Sequence, residues 1–132
     1  MVNIRKTRIF DLYSIGQYEE AIKLAENYLE ENPNDIYVLD LASLCYRKIN
    51  KIDEAIKKLN YILLKDCINV PAKMDLFDIY FRLERYEEAK PLLDELLSID
   101  CDAIKENMSY YSFAKDTIET YLIRKEEEFT KA

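Results

Sequence analysis

An all-α fold, three stacked helical hairpins closed by a terminal helix, is predicted by three observations on this sequence. Alanines recur at a fixed interval of 34 residues, at Ala21, Ala55 and Ala89. Each follows a pair of acids: Glu19 and Glu20, Asp53 and Glu54, Glu87 and Glu88. One Gly and three Pro in 132 residues leave few tight turns, so long helices must carry the chain.

The repeating piece is clearest in the stretch 16–34, GQYEEAIKLAENYLEENPN, a turn, an amphipathic helix and a stop at Asn32, Pro33 and Asn34. Acids in a helix's first turn meet the positive end of its macrodipole, worth about 0.3–1 kcal/mol each. A paired-carboxylate catalytic site would not recur identically three times, so these acids read as structural. Apolar residues follow at helical spacing: Ala21, Leu24, Ala25, Tyr28 and Leu29, then Ala55, Ile56, Leu59, Ile62 and Leu63, then Ala89, Leu92, Leu93, Leu96 and Leu97. Pro91 sits early in the third of these helices, where it removes one backbone bond and adds a small kink. Gly16 lies in the turn, where a left-handed backbone is needed. The corresponding Asn50 tolerates that conformation, whereas Glu84 should carry about 1–2 kcal/mol of strain or sit in a different turn.

The helices between the copies are less regular. The first, from residue 2 to 13, has a weak stripe of Ile4, Ile9, Leu12 and Tyr13, with Asn3 as its cap. The stretch 36–49 places Leu39, Ala42, Ser43 and Tyr46 on one face, and 70–83 does the same with Leu76, Phe77 and Tyr80, led by Pro71 in its first turn. Beyond Ala103, Tyr110, Phe113 with Ala114, Thr117 with Ile118, and Tyr121 with Leu122 form a stripe that predicts a capping helix over 104–130, with break points at Ser109 or Ser112. No linker interrupts the chain, so one domain over 1–132 is expected.

Composition narrows the class of function. A net charge of −7 disfavours general nucleic-acid or anionic-membrane binding, which needs Lys and Arg in excess. No apolar run reaches the ~18 residues of a membrane span, and no apolar core follows Arg5, Lys6 and Arg8 to make a signal peptide. Three cysteines, an odd number, suit a reducing compartment, and a cytoplasmic location is expected. Cys67 and Cys101 occupy equivalent repeat positions and read as small buried hydrophobes rather than zinc or redox groups. With no histidine and three thiols, the common zinc ligand sets cannot be completed. There is no histidine base, phosphate loop or nucleophile elbow, so no enzyme, no cofactor and no metal site is expected. Segments 17–35 and 70–103 each carry a net −5 and 36–69 a net +2. The middle segment reads as a solvated face, or as a strip for an acidic partner.

The 34-residue helix–turn–helix period, with Y-E-E-A at Tyr18–Ala21 and Tyr86–Ala89 and I-D-E-A at Ile52–Ala55, resembles the tetratricopeptide repeat (TPR) family. Tyr46, Tyr80 and Pro33 fit its pattern as well. The resemblance covers units 2–35, 36–69 and 70–103. It implies a right-handed superhelical stack of three TPR units plus the capping helix. Departures are Ile9 and Phe77, where the family prefers a small residue such as Ser43, and Arg5 and Arg8 in a polar first helix.

By the same resemblance, function is a non-enzymatic protein–protein interaction in a concave groove, as an adaptor, scaffold or assembly component. The partner-binding residues would be Phe10 and Tyr13 with Asn3 and Lys6, then Tyr37, Asp40, Leu44 and Arg47 with Lys48. The third unit would add Met74, Asp78, Phe81 and Arg82, and the terminal helix Met108 and Lys115. The alternative for several of these is packing against the terminal helix or neighbouring turns. The partner would be a protein or peptide, with no nucleic acid and no membrane; self-association as a homo-oligomer, or a small chaperone masking an apolar client segment, are the alternative readings. The family's clamp for a C-terminal carboxylate has Lys6, Phe10, Leu41, Pro71 and Asp75 at its positions, and only Lys6 fits, so that ligand is not expected.

Overall fold

The computed structural model describes residues 3–131; Val2, at which the first repeat is expected to begin, lies outside them. Eight α-helices are found among these residues: α1 (Ile4–Ser14), α2 (Tyr18–Glu31), α3 (Ile36–Lys48), α4 (Ile52–Lys65), α5 (Val70–Arg82), α6 (Tyr86–Leu97), α7 (Asp102–Glu106) and α8 (Met108–Lys131). Contacts gather them into two compact units, 1–72 and 73–132. None of the helices among the described residues is long and apolar enough to cross a membrane.

In the first unit, α1 packs on α2, α2 on α3 and α3 on α4, and α1 also meets α3. The expected apolar stripes are the buried ones. Ala21, Ala25, Tyr28 and Leu29 of α2, and Ala55, Ile56, Leu59 and Ile62 of α4, face inward. The repeating alanines have no exposed surface, so a larger side chain at any of them would have to displace packed neighbours. Helix α3 is buried most completely, through Val38, Leu39, Leu41, Ala42, Ser43, Cys45 and Tyr46. Ser43 satisfies its hydroxyl by donating to the Asp40 carbonyl at 2.7 Å.

The starts of α1, α3 and α5 are capped by short polar side chains. Asn3 accepts from the Lys6 N–H at 3.2 Å, Asp35 from Val38 at 3.2 Å and Asn69 from Ala72 at 2.9 Å. The turns inside each hairpin share one geometry. Gly16, Asn50 and Glu84 have φ of 83°, 63° and 59°. The next N–H reaches back to a carbonyl five residues earlier: Gln17 to Leu12 at 2.8 Å, Lys51 to Tyr46 at 2.8 Å and Arg85 to Tyr80 at 2.9 Å. This is the Schellman closure, which satisfies otherwise orphaned carbonyls at a helix end. Glu84 therefore adopts the strained left-handed conformation, not a different turn.

In the second unit, α8 packs along α6, and α7 on α8. Its core is aromatic. The Phe77 ring lies 5.6 Å from Phe81 in a stacked arrangement and 5.7 Å from Tyr111, with Tyr110 edge-on at 6.0 Å. Leu76, Ile79 and Tyr80 of α5 are buried with it, as are Ala89, Leu93, Leu96, Ile104, Ala114 and Ile118.

Three expectations are corrected. The terminal break falls at Asn107, ahead of Ser109 and Ser112, because the Asn107 amide donates to the Ala103 carbonyl at 2.8 Å and closes α7. Of the stripe expected on α8, Ala114 and Ile118 are buried, but Phe113 is 63% exposed and Tyr111, which the stripe does not include, is the ring that faces inward. Cys67 is exposed in the turn before α5 and Cys101 is half-buried, so neither is a core residue; Cys45 is the buried thiol, and burial pushes it up to about 11. A thiol so shifted is inert near neutrality.

Candidate functional site

Among the expected partner-binding residues, those of the first unit fall on α1 and α3. Phe10 and Tyr37 are large aromatics left 47% and 48% exposed. Together with Asn3, Lys6 and Thr7 they line an open cleft of about 360 Å³. The Phe10 ring meets Tyr13 edge-on at 6.4 Å, and Tyr13 continues to Tyr18 at 6.0 Å, so Tyr13 is half-buried as the aromatic base of the surface. On α3, Tyr37, Asp40, Leu44 and Arg47 follow at spacings of three and four, which puts them on one helical face.

Electrostatics on this surface centre on Asp35, which sequence reading overlooked. Its carboxylate caps α3, accepts from the Tyr28 hydroxyl at 3.1 Å and pairs with the Lys6 ammonium at 2.5 Å. Burial alone would raise the Asp35 pKa, but Lys6, the Val38 N–H and Tyr28 outweigh it and hold the carboxyl below its usual value. Lys6 is correspondingly raised, first through its hydrogen bond to Asp35. The ammonium lies 5.9 Å from the centres of both the Tyr28 and Tyr37 rings, within the reach of cation–π attraction. A polar residue immediately ahead of the apolar run of α3 is the sequence signal that would have found Asp35, and Asn69 repeats it 34 residues later.

Leu41, at one position of the carboxylate clamp, is buried at 5% exposure, and Lys6 is already engaged by Asp35.

The second unit treats its expected residues differently. Met74 is half-buried and Arg82 exposed. Asp78 accepts from Tyr110 and from Arg82, whose Nε lies 3.1 and 3.0 Å from the two carboxylate oxygens. Phe81 is held by rings on four sides: Phe77, Tyr86 at 5.7 Å, Tyr110 at 5.9 Å and Phe113 at 6.4 Å. Asp78 and Phe81 are thus tied to α8, as the packing alternative expects, while Met108 and Lys115 stay exposed on α8. A cleft missed by sequence reading, about 700 Å³, runs beside α8 between Tyr86, Phe113, Thr117, Tyr121 and Arg124. Tyr121 crosses Tyr86 edge-on at 5.0 Å, and Lys125 pairs with Glu87 below it.

Helical hairpins repeating every 34 residues, with buried small residues at the crossing and aromatics exposed on the first helices, define a tetratricopeptide-repeat protein. The chain belongs to the family described as anaphase-promoting complex, cyclosome, subunit 3, whose model matches residues 14–96. It is similar to the phagocyte signaling-impaired protein of Drosophila pseudoobscura pseudoobscura, 26% identical over 87 residues that make up 66% of this chain and 9% of that protein. A TPR repeat-containing protein of Methanocaldococcus jannaschii is 38% identical over 48 residues, 36% of this chain and 15% of that protein. This chain therefore spans a small part of the length of both relatives. Among solved structures it resembles the Yersinia enterocolitica type III secretion chaperone SycD in complex with a peptide of the translocator YopD, with a TM-score of 0.78 and 18% identity over 89% of this chain and 91% of that one. SycD solved as an alternative dimer aligns with a TM-score of 0.75 and 18% identity over 89% and 90% of the two chains. At that identity the likeness establishes the fold.

Proposed function

We propose that this chain is a non-enzymatic protein-interaction module of the cytoplasm that holds a peptide or helix of a partner on its first helices, as an adaptor, scaffold or assembly component. The observation that carries the reading is the exposed pair Phe10 and Tyr37 on one cleft. Two large rings left about half in water beside a formed cleft forgo roughly half of the about 1.5–3 kcal/mol that full burial of each is worth, and aromatic anchors of this kind concentrate binding energy when a partner covers them. Tyr13, Asp40, Leu44 and Arg47 extend the surface on the first unit; Met74, Asp78, Phe81 and Arg82 are the corresponding residues of the second. The solved complex of SycD with a YopD peptide supports the same use of the fold here.

A photo-cross-linking residue at Tyr37 tests it. Irradiation in the native cell should give discrete protein adducts that disappear when Phe10→Ala is added, whereas the same residue at Glu30, exposed on α2, should give none. Equal labelling from both positions would rule out a directed partner surface. Phe10 and Tyr37 are the fitting pair for truncation, because removing Phe81 would also open the aromatic core of the second unit.

A second reading, self-association, is favoured by the outer side of α1. Ile4 and Ile15 are 80% and 72% exposed there and flank a cleft shared with Thr7, Arg8, Asp11 and Leu12. Light scattering across a concentration series decides it: a mass that stays at 15.7 kDa throughout excludes that mode.

A further inference from the structure

Asp40 differs from the other expected binding residues. It lies on α3 three residues after Tyr37 and four before Leu44, so an aromatic ring and an aliphatic side chain flank it on one helix face. It is half-buried. No hydrogen bond or ion pair is formed by its carboxylate among the described residues, and the nearby Ser43 hydroxyl goes to its backbone carbonyl instead. Lys6, the cation on the neighbouring α1, is engaged by Asp35, and Arg47, on the same face of α3, has a partner of its own.

We infer that Asp40 is the seat for a basic side chain, lysine or arginine, of the bound partner segment, with Tyr37 and Leu44 supplying apolar contacts on either side of it. The inference rests on the binding reading above and names the chemistry of what is bound. A carboxylate taken partly out of water without a partner is unfavourable in the free protein, and burial accordingly raises the Asp40 pKa. The same desolvation strengthens its attraction for a cation that arrives with a partner and covers it. A metal ion is a poor occupant, because no cluster of three His, Cys, Asp or Glu exists among the described residues to complete its coordination. A carboxylate or phosphate of the partner would meet like charge. A neutral hydroxyl or amide would donate to the carboxylate but leave its charge uncompensated, whereas a lysine or arginine meets that charge and lays its methylenes against Tyr37 and Leu44.

The test uses the full chain and fluorescein-labelled peptide pools, randomised except for fixed leucine and phenylalanine anchors and a central Lys, Arg, Gln or Glu. In fluorescence polarisation the Lys and Arg pools should bind about tenfold or more tighter than the Gln pool, and the Glu pool weakest. Asp40→Asn should shrink the Lys-over-Gln preference to about twofold or less while melting no lower than the parent, because an unpaired desolvated charge has been removed. Glu30→Gln on α2 should leave the preference intact. If the Gln pool binds as tightly as the Lys pool, or the Lys preference survives in Asp40→Asn, the cation seat is wrong and the binding surface stands. If none of the pools binds, the surface fails and the seat with it.

Discussion

The Tyr110 hydroxyl donates to Oδ1 of Asp78, joining the first turn of α8 to α5 at 2.5 Å. The bond holds the terminal helix in register over the rings of Phe77 and Phe81, which Tyr110 also meets edge-on. Tyr110→Phe removes the hydroxyl and keeps the ring. Asp78 retains Arg82, so it is not left without a donor, and the loss should be about 1–2 kcal/mol. Urea denaturation of the two proteins measures this; an unchanged midpoint would mean that Arg82 alone satisfies Asp78.

Stability should fall steeply in alkali. Burial, then the Asp78 hydrogen bond and charge, raises the Tyr110 pKa; burial, with the charges of Glu26 and Glu54, pushes Tyr46 up to about 12, and burial pushes Cys45 up to about 11. All three ionise by losing a proton, and each has a folded value above its ordinary one. The folded state holds those protons more tightly, so their contribution is complete below the ordinary values of 9.0 for the thiol and 10.0 for the phenols. It is lost as pH climbs through the folded ones. The urea midpoint should stay level to about pH 9 and drop through pH 12, with a shallower drop in Tyr46→Phe. A level profile to pH 12 in both proteins would refute the shared cause.

Asp35 should dominate at the acid end. Burial opposes its ionisation, but Lys6, the Val38 N–H and Tyr28 together lower its pKa below 3.8. Its stabilisation is therefore present above the ordinary carboxylate value and lost as pH falls through the lower folded one. Asp35→Ala removes the α3 cap and unpairs Tyr28 and Lys6 together, and should cost about 2–3 kcal/mol at pH 7. It should also flatten the pH dependence below pH 4. Titrating chemical stability from pH 7 to 2 in both proteins checks the cost and the slope at once.

What the sequence made legible followed from where its periodicity is strict. The alanines, the first-turn acids and the apolar faces of α2, α4 and α6 repeat because each must meet the same neighbour in the same way, and all were readable. The terminal region has no copy to be compared with. There, Tyr110, Tyr111 and Phe113 are adjacent or nearly so, all aromatic, and only the packing of α8 decides that Tyr111 is buried while Phe113 stays in water. The α7–α8 break was equally hidden, because it depends on one amide turning back on one carbonyl rather than on a Gly or Pro. On the candidate surface, Phe10 and Tyr37 are exposed on helices that the periodicity marks out, whereas the ties of Phe81 and Asp78 to α8 involve partners about 30 residues away, beyond any local rule.

The three Schellman turns offer a graded test of backbone strain. Gly16, Asn50 and Glu84 share a positive φ and the same reach-back hydrogen bond, so they differ in side chain and little else. At Glu84 the left-handed conformation costs about 1–2 kcal/mol relative to its preferred regions, partly offset in a comparison with glycine by the ~0.5–1 kcal/mol of extra chain entropy that glycine loses on folding. Glu84→Gly should therefore stabilise by about 0.5–1 kcal/mol. Asn50→Gly should gain less, since a short amide side chain tolerates this region. Gly16→Ala should lose about 1 kcal/mol through conformation alone, because a Cβ built there meets nothing within 4 Å. Denaturant midpoints for the three variants should rank Glu84→Gly above Asn50→Gly, with both above the parent and Gly16→Ala below it. If Glu84→Gly loses stability, the Glu84 side chain contributes more to the turn than its backbone strain removes.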